Sequence, residues 1–230
     1  TKACKPCEIL KTCFCASSST ATTQTGLTAC EPEGDIISFE TEGFIFFDVK
    51  TEKGKNLFLE ISSTAELSEA TDDDIVKIES FKKSINEKLE KQELKNFDTE
   101  VFRDKDMLKV FNSENWDKLS STCLGCGSCT YVCPTCMCFD IRDYKAGDEV
   151  QRYRCWDSCM FSDFTQMAAD NPRKTQKERF RQRFMHKMTY YPLAHKDITS
   201  CVGCGRCLVS CPINMNIVKV ALEFNKSKTE

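Results

Sequence analysis

One cysteine spacing occurs twice in this chain, and it constrains the fold more than any other feature. The spacing is C-x2-C-x2-C-x3-C followed by proline, first from Cys123 to Pro134 and again from Cys201 to Pro212. Thiols only two or three residues apart rarely form disulfides with each other, but they readily bind one metal centre. The repeat therefore predicts two matched metal sites.

This spacing is typical of bacterial two-cluster ferredoxins, in which the fourth cysteine of each run binds the other [4Fe–4S] cluster. The predicted ligands are Cys123, Cys126, Cys129 and Cys211 for cluster I, and Cys201, Cys204, Cys207 and Cys133 for cluster II. Glycines between the cysteines let the backbone approach the sulfurs and present N–H groups to them.

The distribution of the 17 cysteines argues against a disulfide scaffold. Five lie in residues 1–30, none in 31–122 and twelve in 123–211, whereas disulfide scaffolds are usually short secreted chains. Structural zinc is the other alternative, although zinc sites usually combine two C-x-x-C pairs around one metal. Iron-sulfur clusters suit a reducing, anaerobic compartment, and we therefore expect a cytoplasmic protein.

Nine of the 17 cysteines lie outside these two sets, and they predict a third [4Fe–4S] cluster. Its candidate ligands are Cys136, Cys138, Cys155 and Cys159, with Cys13 and Cys15 if the N-terminal segment folds over this region. The alternative is that some of these residues are buried, inert thiols. The sequence leaves open the roles of Cys4, Cys7 and Cys30.

The part of the chain before the first run is predicted to form a small sheet followed by helices. Alternating apolar residues and glycine-containing turns predict three short antiparallel strands between Asp35 and Ile61. Thr71 and the aspartates after it predict the start of an amphipathic helix that runs to about Leu94. Residues 97–119 are expected to form one or two short helices, and Asn171-Pro172 predicts another helix start.

The segment that follows Asn171-Pro172 is strongly basic. Phe180, Phe184 and Met188 recur every fourth residue and predict one apolar helix face, with cations on the other faces. The cations could bind nucleic acid, offset the negative charge of the clusters, dock an acidic partner or simply be solvated. A net charge of −3, from 32 Lys and Arg against 35 Asp and Glu, argues against nucleic acid.

The sequence predicts no catalytic residues. It contains no phosphate-binding glycine loop, nucleotide fingerprint or Ser/His/Asp arrangement, and His186 and His195 are interpreted as structural. No apolar run approaches the length of a transmembrane helix, so we expect no membrane insertion. The chemistry that the sequence indicates is electron transfer.

Further motifs accompany the cysteine runs. They are Cys133-Pro-Thr-Cys136-Met-Cys138-Phe-Asp140, Trp156-Asp-Ser-Cys159, Asn171-Pro-Arg173, Arg179-Phe-Arg-Gln-Arg183 with His186-Lys187, and upstream Cys13-Phe-Cys15. In this combination the chain resembles the dicluster ferredoxin family shared by the electron-transfer subunit of anaerobic sulfite reductase and the beta subunit of cytoplasmic sulfhydrogenases. Cys155 is not a fixed cysteine of that family. The resemblance therefore favours a third site that uses an N-terminal thiol.

The resemblance implies a non-catalytic electron-transfer subunit of an oxidoreductase complex. Its expected partners are a flavin-containing subunit that oxidises NAD(P)H and a catalytic subunit, either a sirohaem sulfite reductase or a NiFe hydrogenase. The run after Cys211 favours the sulfite reductase branch, with the sulfhydrogenase branch as the alternative. A second hypothesis is a reductase that acts at a special cluster built from the surplus cysteines, and a third is a zinc- or cluster-stabilised binding module.

The predicted fold class is α+β. We expect a cysteine-rich segment and small antiparallel sheet in residues 1–70, a helical connector in 71–119 and a ferredoxin-like two-cluster domain in 120–230. Family members carry a substantial region before Cys13-Phe-Cys15, so residues 1–70 would be the remnant of a longer N-terminal domain.

Overall fold

A computed structural model describes residues 34–41, 43–90, 100–103, 107–195 and 200–226. The chain divides into two compact units, residues 1–96 and 97–230. Both units contain helices and small antiparallel sheets, so the mixed α+β class is confirmed at this level. The finer division at residues 70 and 119 stays a prediction.

The first unit packs a two-stranded hairpin against helices. Its elements are β1 (Ile36–Thr41), β2 (Phe44–Val49), α1 (Glu52–Ser62) and α2 (Asp72–Glu90). The strands pair antiparallel, and Ile37 and Phe39 of β1 are buried. Phe81 of α2 meets Phe39 edge to face, with ring centroids 6.1 Å apart. This packing gives the unit its own apolar core.

The third predicted strand is wrong, because its residues lie in α1. Thr51 caps this helix, and its hydroxyl accepts a hydrogen bond from the Gly54 N–H at 3.1 Å. Gly54 suggested a turn in the sequence, but it lies in the first helical turn. A Cβ on Gly54 would lie 2.2 Å from the Asp35 carbonyl oxygen, so this glycine permits a close backbone approach.

The predicted helix after Thr71 is confirmed as α2. The Thr71 hydroxyl donates to the Asp74 carboxylate at 2.8 Å, and three aspartates occupy the first turn. The described helix ends at Glu90, and the predicted extension to Leu94 lies outside the described residues.

The second unit is mostly helical. Its elements are α3 (Met107–Phe111), α4 (Asn115–Ser120), α5 (Ser128–Tyr131), β3 (Phe139–Ala146), β4 (Glu149–Trp156), α6 (Gln176–Met185), α7 (Tyr191–Ala194), α8 (Arg206–Val209) and α9 (Ile217–Lys226), with 3-10 turns at Glu100–Arg103 and Asp163–Thr165 and a π-helical segment at His186–Tyr190. The short helices predicted for residues 97–119 are confirmed among the described residues.

An aromatic core holds this unit together. Trp116 of α4 is buried, and its ring centroid lies 6.4 Å from that of Phe184 in α6 and 4.7 Å from that of Phe224 in α9. The Trp116 indole N–H donates to the Val110 carbonyl at 2.7 Å, which satisfies its polar atom inside the core. The predicted apolar face of α6 therefore packs against this cluster.

The start of α6 differs from the prediction. The helix begins at Gln176, where Thr175 and Glu178 form a capping box. Asn171 instead organises the preceding turn: its side-chain carbonyl accepts from the Thr165 hydroxyl at 2.8 Å and from the Arg173 N–H at 2.9 Å. Asparagine serves here as a turn residue, a use that competes with helix capping in any sequence-based prediction.

A long hairpin between the two cysteine runs was not predicted. Strands β3 and β4 pair antiparallel along their whole length around Gly147, which has φ of +62°. Nearly all of their residues are exposed on both faces, so no alternation of apolar and polar residues marks them.

In the described part of the chain, none of the helices has the length and apolar character needed to cross a membrane.

Candidate metal centres

The two cysteine runs fold in the same way. Gly125 and Gly203 have φ of +67° and +64°, and Gly127 and Gly205 have φ of +73° and +74°. In each run the second of these glycines precedes a short helix, and these helices, α5 and α8, pack against each other. The sequence repeat is therefore a structural repeat, whose loops use the left-handed backbone that glycine adopts freely.

The first thiol group combines both runs. A cavity is lined by Cys123, Cys126, Cys129 and Cys211. The Gly125 N–H and the Gln176 side-chain amide donate to the Cys123 sulfur at 3.5 and 3.4 Å. The Met215 N–H donates to the Cys211 sulfur at 3.1 Å. Such N–H donors stabilise negative charge on a sulfur.

The second thiol group comprises Cys201, Cys204, Cys207 and Cys133. Burial raises the pKa of Cys207, and the negative charge of the Cys133 and Cys204 sulfurs adds to this rise. Burial likewise raises the pKa of Cys201 to about 11, with Cys207 and Cys133 among the neighbouring charges. Buried thiols at this spacing favour the neutral form unless a cation or a metal offsets their charge.

The structure thus brings Cys211 to the first run and Cys133 to the second, as the crossed arrangement predicts. Helices α5 and α8, which contain Cys129 and Cys207, pack against each other, so the two groups are neighbours. Ligation of clusters by these eight cysteines stays a prediction. In the described ranges, no three Cys, His, Asp or Glu side chains converge closely enough to hold a single metal ion.

Glycine is required beside the first thiol group. A Cβ on Gly127 would lie 2.9 Å from the Phe161 ring and 3.1 Å from the Ser158 hydroxyl. A Cβ on Gly125 would lie 2.8 Å from the Gln176 amide that donates to Cys123. A [4Fe–4S] cluster needs thiol ligands, N–H groups that point at the sulfurs, and glycines that let the backbone lie close to it. The lining of this group has all three and therefore fits such a cluster.

A third group of thiols lines a separate cavity of about 450 Å³. Its thiols are Cys136, Cys138 and Cys159, and its other polar lining includes Arg173, Arg183, His186 and Lys187. A hydrogen bond from Cys159 lowers the pKa of Cys138, and the pKa of Cys159 is raised in turn. His186, interpreted from sequence as structural, faces this cavity, and burial followed by the charge of Lys187 lowers its pKa.

Of the three other candidate ligands for the third site, Cys155 is the one that the structure describes. Cys155 lies on β4, where its sulfur is 3.9 Å from the Asp140 carbonyl oxygen, and it is not among the residues that line the cavity. Cys13 and Cys15 lie outside the described residues.

The correspondence between the two runs continues past the proline, and two thiols of the third group lie in this extension. Cys136-Met-Cys138 in the first run corresponds to Asn214-Met-Asn216 in the second. Asn216 caps α9, since its side-chain carbonyl accepts from the Val218 and Lys219 N–H groups at 3.1 and 3.2 Å. One run therefore ends in a helix cap and the other in two thiols, a difference that aligning the repeats by sequence could have revealed.

Two buried cations lie among these groups. Arg183 of α6 is 4% exposed, and its Nε has no hydrogen-bond partner among the residues that the structure describes. Lys187 is also 4% exposed, and its ammonium donates to the Thr135 hydroxyl at 2.8 Å. The prediction of cations outside the apolar face of this helix thus holds only in part, because these two are not solvated.

The family match to this chain lies within the second unit. Residues 122–215 match the family described as the 4Fe-4S dicluster domain. The sulfhydrogenase 2 subunit beta of Pyrococcus furiosus is 40% identical over 119 residues, which are 51% of this chain and 35% of that protein. The matched part spans about a third of that relative's length. No solved structure shows a significant match to the chain.

These findings favour one branch of the resemblance. The relative is a sulfhydrogenase subunit, so the preference for the sulfite reductase branch is not supported and the alternative is favoured. Residues 122–215 match a 4Fe–4S dicluster domain, which indicates two [4Fe–4S] clusters, and the chain is similar to the beta subunit of a sulfhydrogenase.

Proposed function

We propose that this chain is the iron-sulfur electron-transfer subunit of an oxidoreductase complex. It relays electrons between a flavin-containing subunit that oxidises NAD(P)H and the catalytic subunit of a NiFe hydrogenase. The observation that carries the proposal is the packing of α5 against α8, which brings the two cysteine runs together within the region that matches a dicluster domain. The name of the related protein, a sulfhydrogenase beta subunit, supports the choice of complex.

The proposed ligands are the two crossed sets. Cluster I is held by Cys123, Cys126, Cys129 and Cys211, and cluster II by Cys201, Cys204, Cys207 and Cys133. The bound clusters supply one-electron chemistry, while the chain holds them side by side and excludes water from the sulfurs between them. Cys129 and Cys207 are partly buried, which fits a protected path between the two centres.

We further propose a third [4Fe–4S] cluster in the larger cavity. Cys136, Cys138 and Cys159 supply three of its ligands, and an N-terminal thiol such as Cys13 or Cys15 is the proposed fourth. The cavity volume of about 450 Å³ and the three thiols on its wall support this site. Since Cys136 and Cys133 belong to the same short segment, the third cluster would extend the relay beyond cluster II.

The first test is the metal content and redox behaviour of the anaerobically isolated chain. About eight iron and eight acid-labile sulfide per chain are expected from two clusters, and about twelve of each with the third. Dithionite should produce S = 1/2 EPR signals that show coupling between neighbouring clusters. Zinc in place of iron, or clusters that dithionite does not reduce, would contradict the proposal.

The second test concerns partners. NAD(P)H alone should leave the clusters oxidised, and addition of a flavin-containing hydrogenase subunit should allow their reduction. Assembly with a sirohaem reductase and sulfite-dependent oxidation would instead support the sulfite reductase branch. The open third cavity also gives the hypothesis of a self-sufficient reductase one structural argument. Substrate reduction by the isolated chain with reduced methyl viologen would support that hypothesis.

A further inference from the structure

Arg183 and Lys187 are buried cations whose counter-charges are not carboxylates. Arginine and lysine are seldom buried unless they are paired, because removing a cation from water is costly. Within the described ranges, no aspartate or glutamate forms an ion pair with either residue. The groups that surround them are cysteine sulfurs. Their burial therefore requires negative charge on those sulfurs or on the clusters that the sulfurs bind.

Arg183 lies where all three thiol groups meet. It is the one described residue that lines both the cavity of the first group and the cavity of the third. The charge of Arg183 also lowers the pKa of Cys207 in the second group, so the guanidinium and this sulfur are neighbours. Its guanidinium stacks on the Phe184 ring, 4.4 Å from the centroid, which fixes its position.

Lys187 lies between the second and third groups. It is one helical turn beyond Arg183 and lines the third cavity. Its ammonium donates to the Thr135 hydroxyl at 2.8 Å, and that hydroxyl lies 3.3 Å from the Cys133 sulfur. The sulfurs of Cys136 and Cys201 also raise the pKa of Lys187. The sulfurs with the largest effect on this pKa do not include Cys123, Cys126 or Cys129.

We propose that these two residues set the reduction potentials of the relay, with Arg183 acting on all three centres and Lys187 on the second and third only. Reduction adds one electron and therefore one negative charge to a cluster, and a fixed cation nearby stabilises that reduced form. Removing the cation makes the cluster harder to reduce. The inference rests on the proposed binding of clusters by these cysteines.

The test is a redox titration of the full chain, isolated anaerobically and followed by EPR. In Lys187→Met we expect one of the two dicluster signals to move and the other to stay. The moving signal should show about a tenfold higher ratio of oxidised to reduced cluster at a fixed potential, which equals about 59 mV for one electron. In Arg183→Met both signals should move in the same direction.

Matched variants separate charge from structure. Lys187→Arg and Arg183→Lys keep the charge and should keep the wild-type potentials. Lys177→Met removes an exposed cation of α6 that pairs with Asp117 at 2.8 Å, and it should move neither signal. Iron and sulfide per chain are measured for every variant. If Arg183→Met loses its clusters, the inference is tested by the potentials of Lys187→Met and of the two variants that keep the charge.

Three contrary outcomes of this titration have different meanings. Unmoved signals in Lys187→Met and Arg183→Met at wild-type iron content would overturn the inference and leave the relay intact. A wild-type chain without reducible clusters would instead overturn the proposed function. Equal shifts of both signals in Lys187→Met would contradict the assignment of that residue to the second and third centres alone.

Discussion

Individual thiols of this chain have different surroundings even where they are close in sequence. Cys159 is 8% exposed and lines the large cavity together with Cys138. Cys155, four residues earlier, lies on a strand whose two faces are exposed, and its sulfur is 3.9 Å from the Asp140 carbonyl oxygen. Sulfur that faces a cavity with other sulfurs can bind a cluster, whereas sulfur on a hairpin has no such partners.

The first prediction compares these two residues. Cys159→Ser should lower the iron content by about four per chain, because the third cluster loses a ligand. Cys155→Ser is the matched control and should leave iron and sulfide unchanged. Both are measured on anaerobically purified protein. Equal iron content in the two variants and the wild type would contradict the proposed third cluster.

The second prediction concerns the backbone beside the first thiol group. An alanine at a left-handed position costs about 1–2 kcal/mol, and Gly127→Ala also forces its Cβ against the Phe161 ring. Gly147→Ala has the same kind of φ but open space around the new Cβ. We therefore expect Gly127→Ala to lose cluster absorbance at a clearly lower temperature than Gly147→Ala. The idea fails if both variants lose it at the same temperature.

At the scale of secondary structure, α6 and the π-helical segment that follows it place the two buried cations beside the thiols. One face of α6 carries Phe180 and Phe184 into the aromatic core, and the next face carries Arg183 to the thiols. The helix then changes to π-helical geometry from His186 to Tyr190, and Lys187 lies in that segment. Such π segments are frequent at functional sites. One continuous element thus supplies both the core and the two buried cations.

The third prediction tests how firmly this element is anchored. Thr175 accepts a hydrogen bond from the Glu178 N–H, and the Glu178 carboxylate accepts one from the Thr175 N–H at 2.7 Å. Thr175→Ala should cost about 1 kcal/mol and speed amide exchange in the first turn of α6. Ser162→Ala removes a hydroxyl that makes no capping bond and serves as the control. Unchanged exchange in Thr175→Ala would show that the cap is unimportant.

At the scale of the whole chain, the two compact units differ in what stabilises them. The unit of residues 1–96 has an apolar core around Phe39 and Phe81. The unit of residues 97–230 also buries thiols and two cations, whose charges must be compensated. Stability of the second unit should therefore depend on bound clusters, and that of the first should not.

The fourth prediction follows from this difference. Oxidative removal of the clusters with a chelator should increase hydrogen exchange around the cysteine runs and α6, since Arg183 and Lys187 lose their counter-charge. Exchange in β1 and α2 should stay near that of the holoprotein. Mass spectrometry of deuterium uptake, peptide by peptide, measures both regions. An increase in hydrogen exchange in both units, or in neither unit, would contradict this prediction.

Much of the candidate site could be predicted from sequence because its information is local. The spacing within each run, the glycines and the proline fix how three thiols are presented, and the repeat indicates that two such loops are needed. The cap at Thr71 and the apolar face of α6 are local signals of the same kind, and both appear in the structure. The prediction of a turn at Gly54 was wrong because a glycine is needed there for another purpose. It allows the close approach of the Asp35 backbone, a contact with a residue distant in sequence.

The sequence by itself predicted the chemistry that we propose: thiolate ligands, two paired sites and a ferredoxin-like crossing of the runs. Only the tertiary structure decided that Cys136, Cys138 and Cys159 share a cavity, that Cys155 stands apart, and that Arg183 and Lys187 are buried among the sulfurs. The physical reason is range. Loop geometry depends on neighbouring residues, whereas burial and the pairing of charges depend on contacts between segments that are distant in sequence.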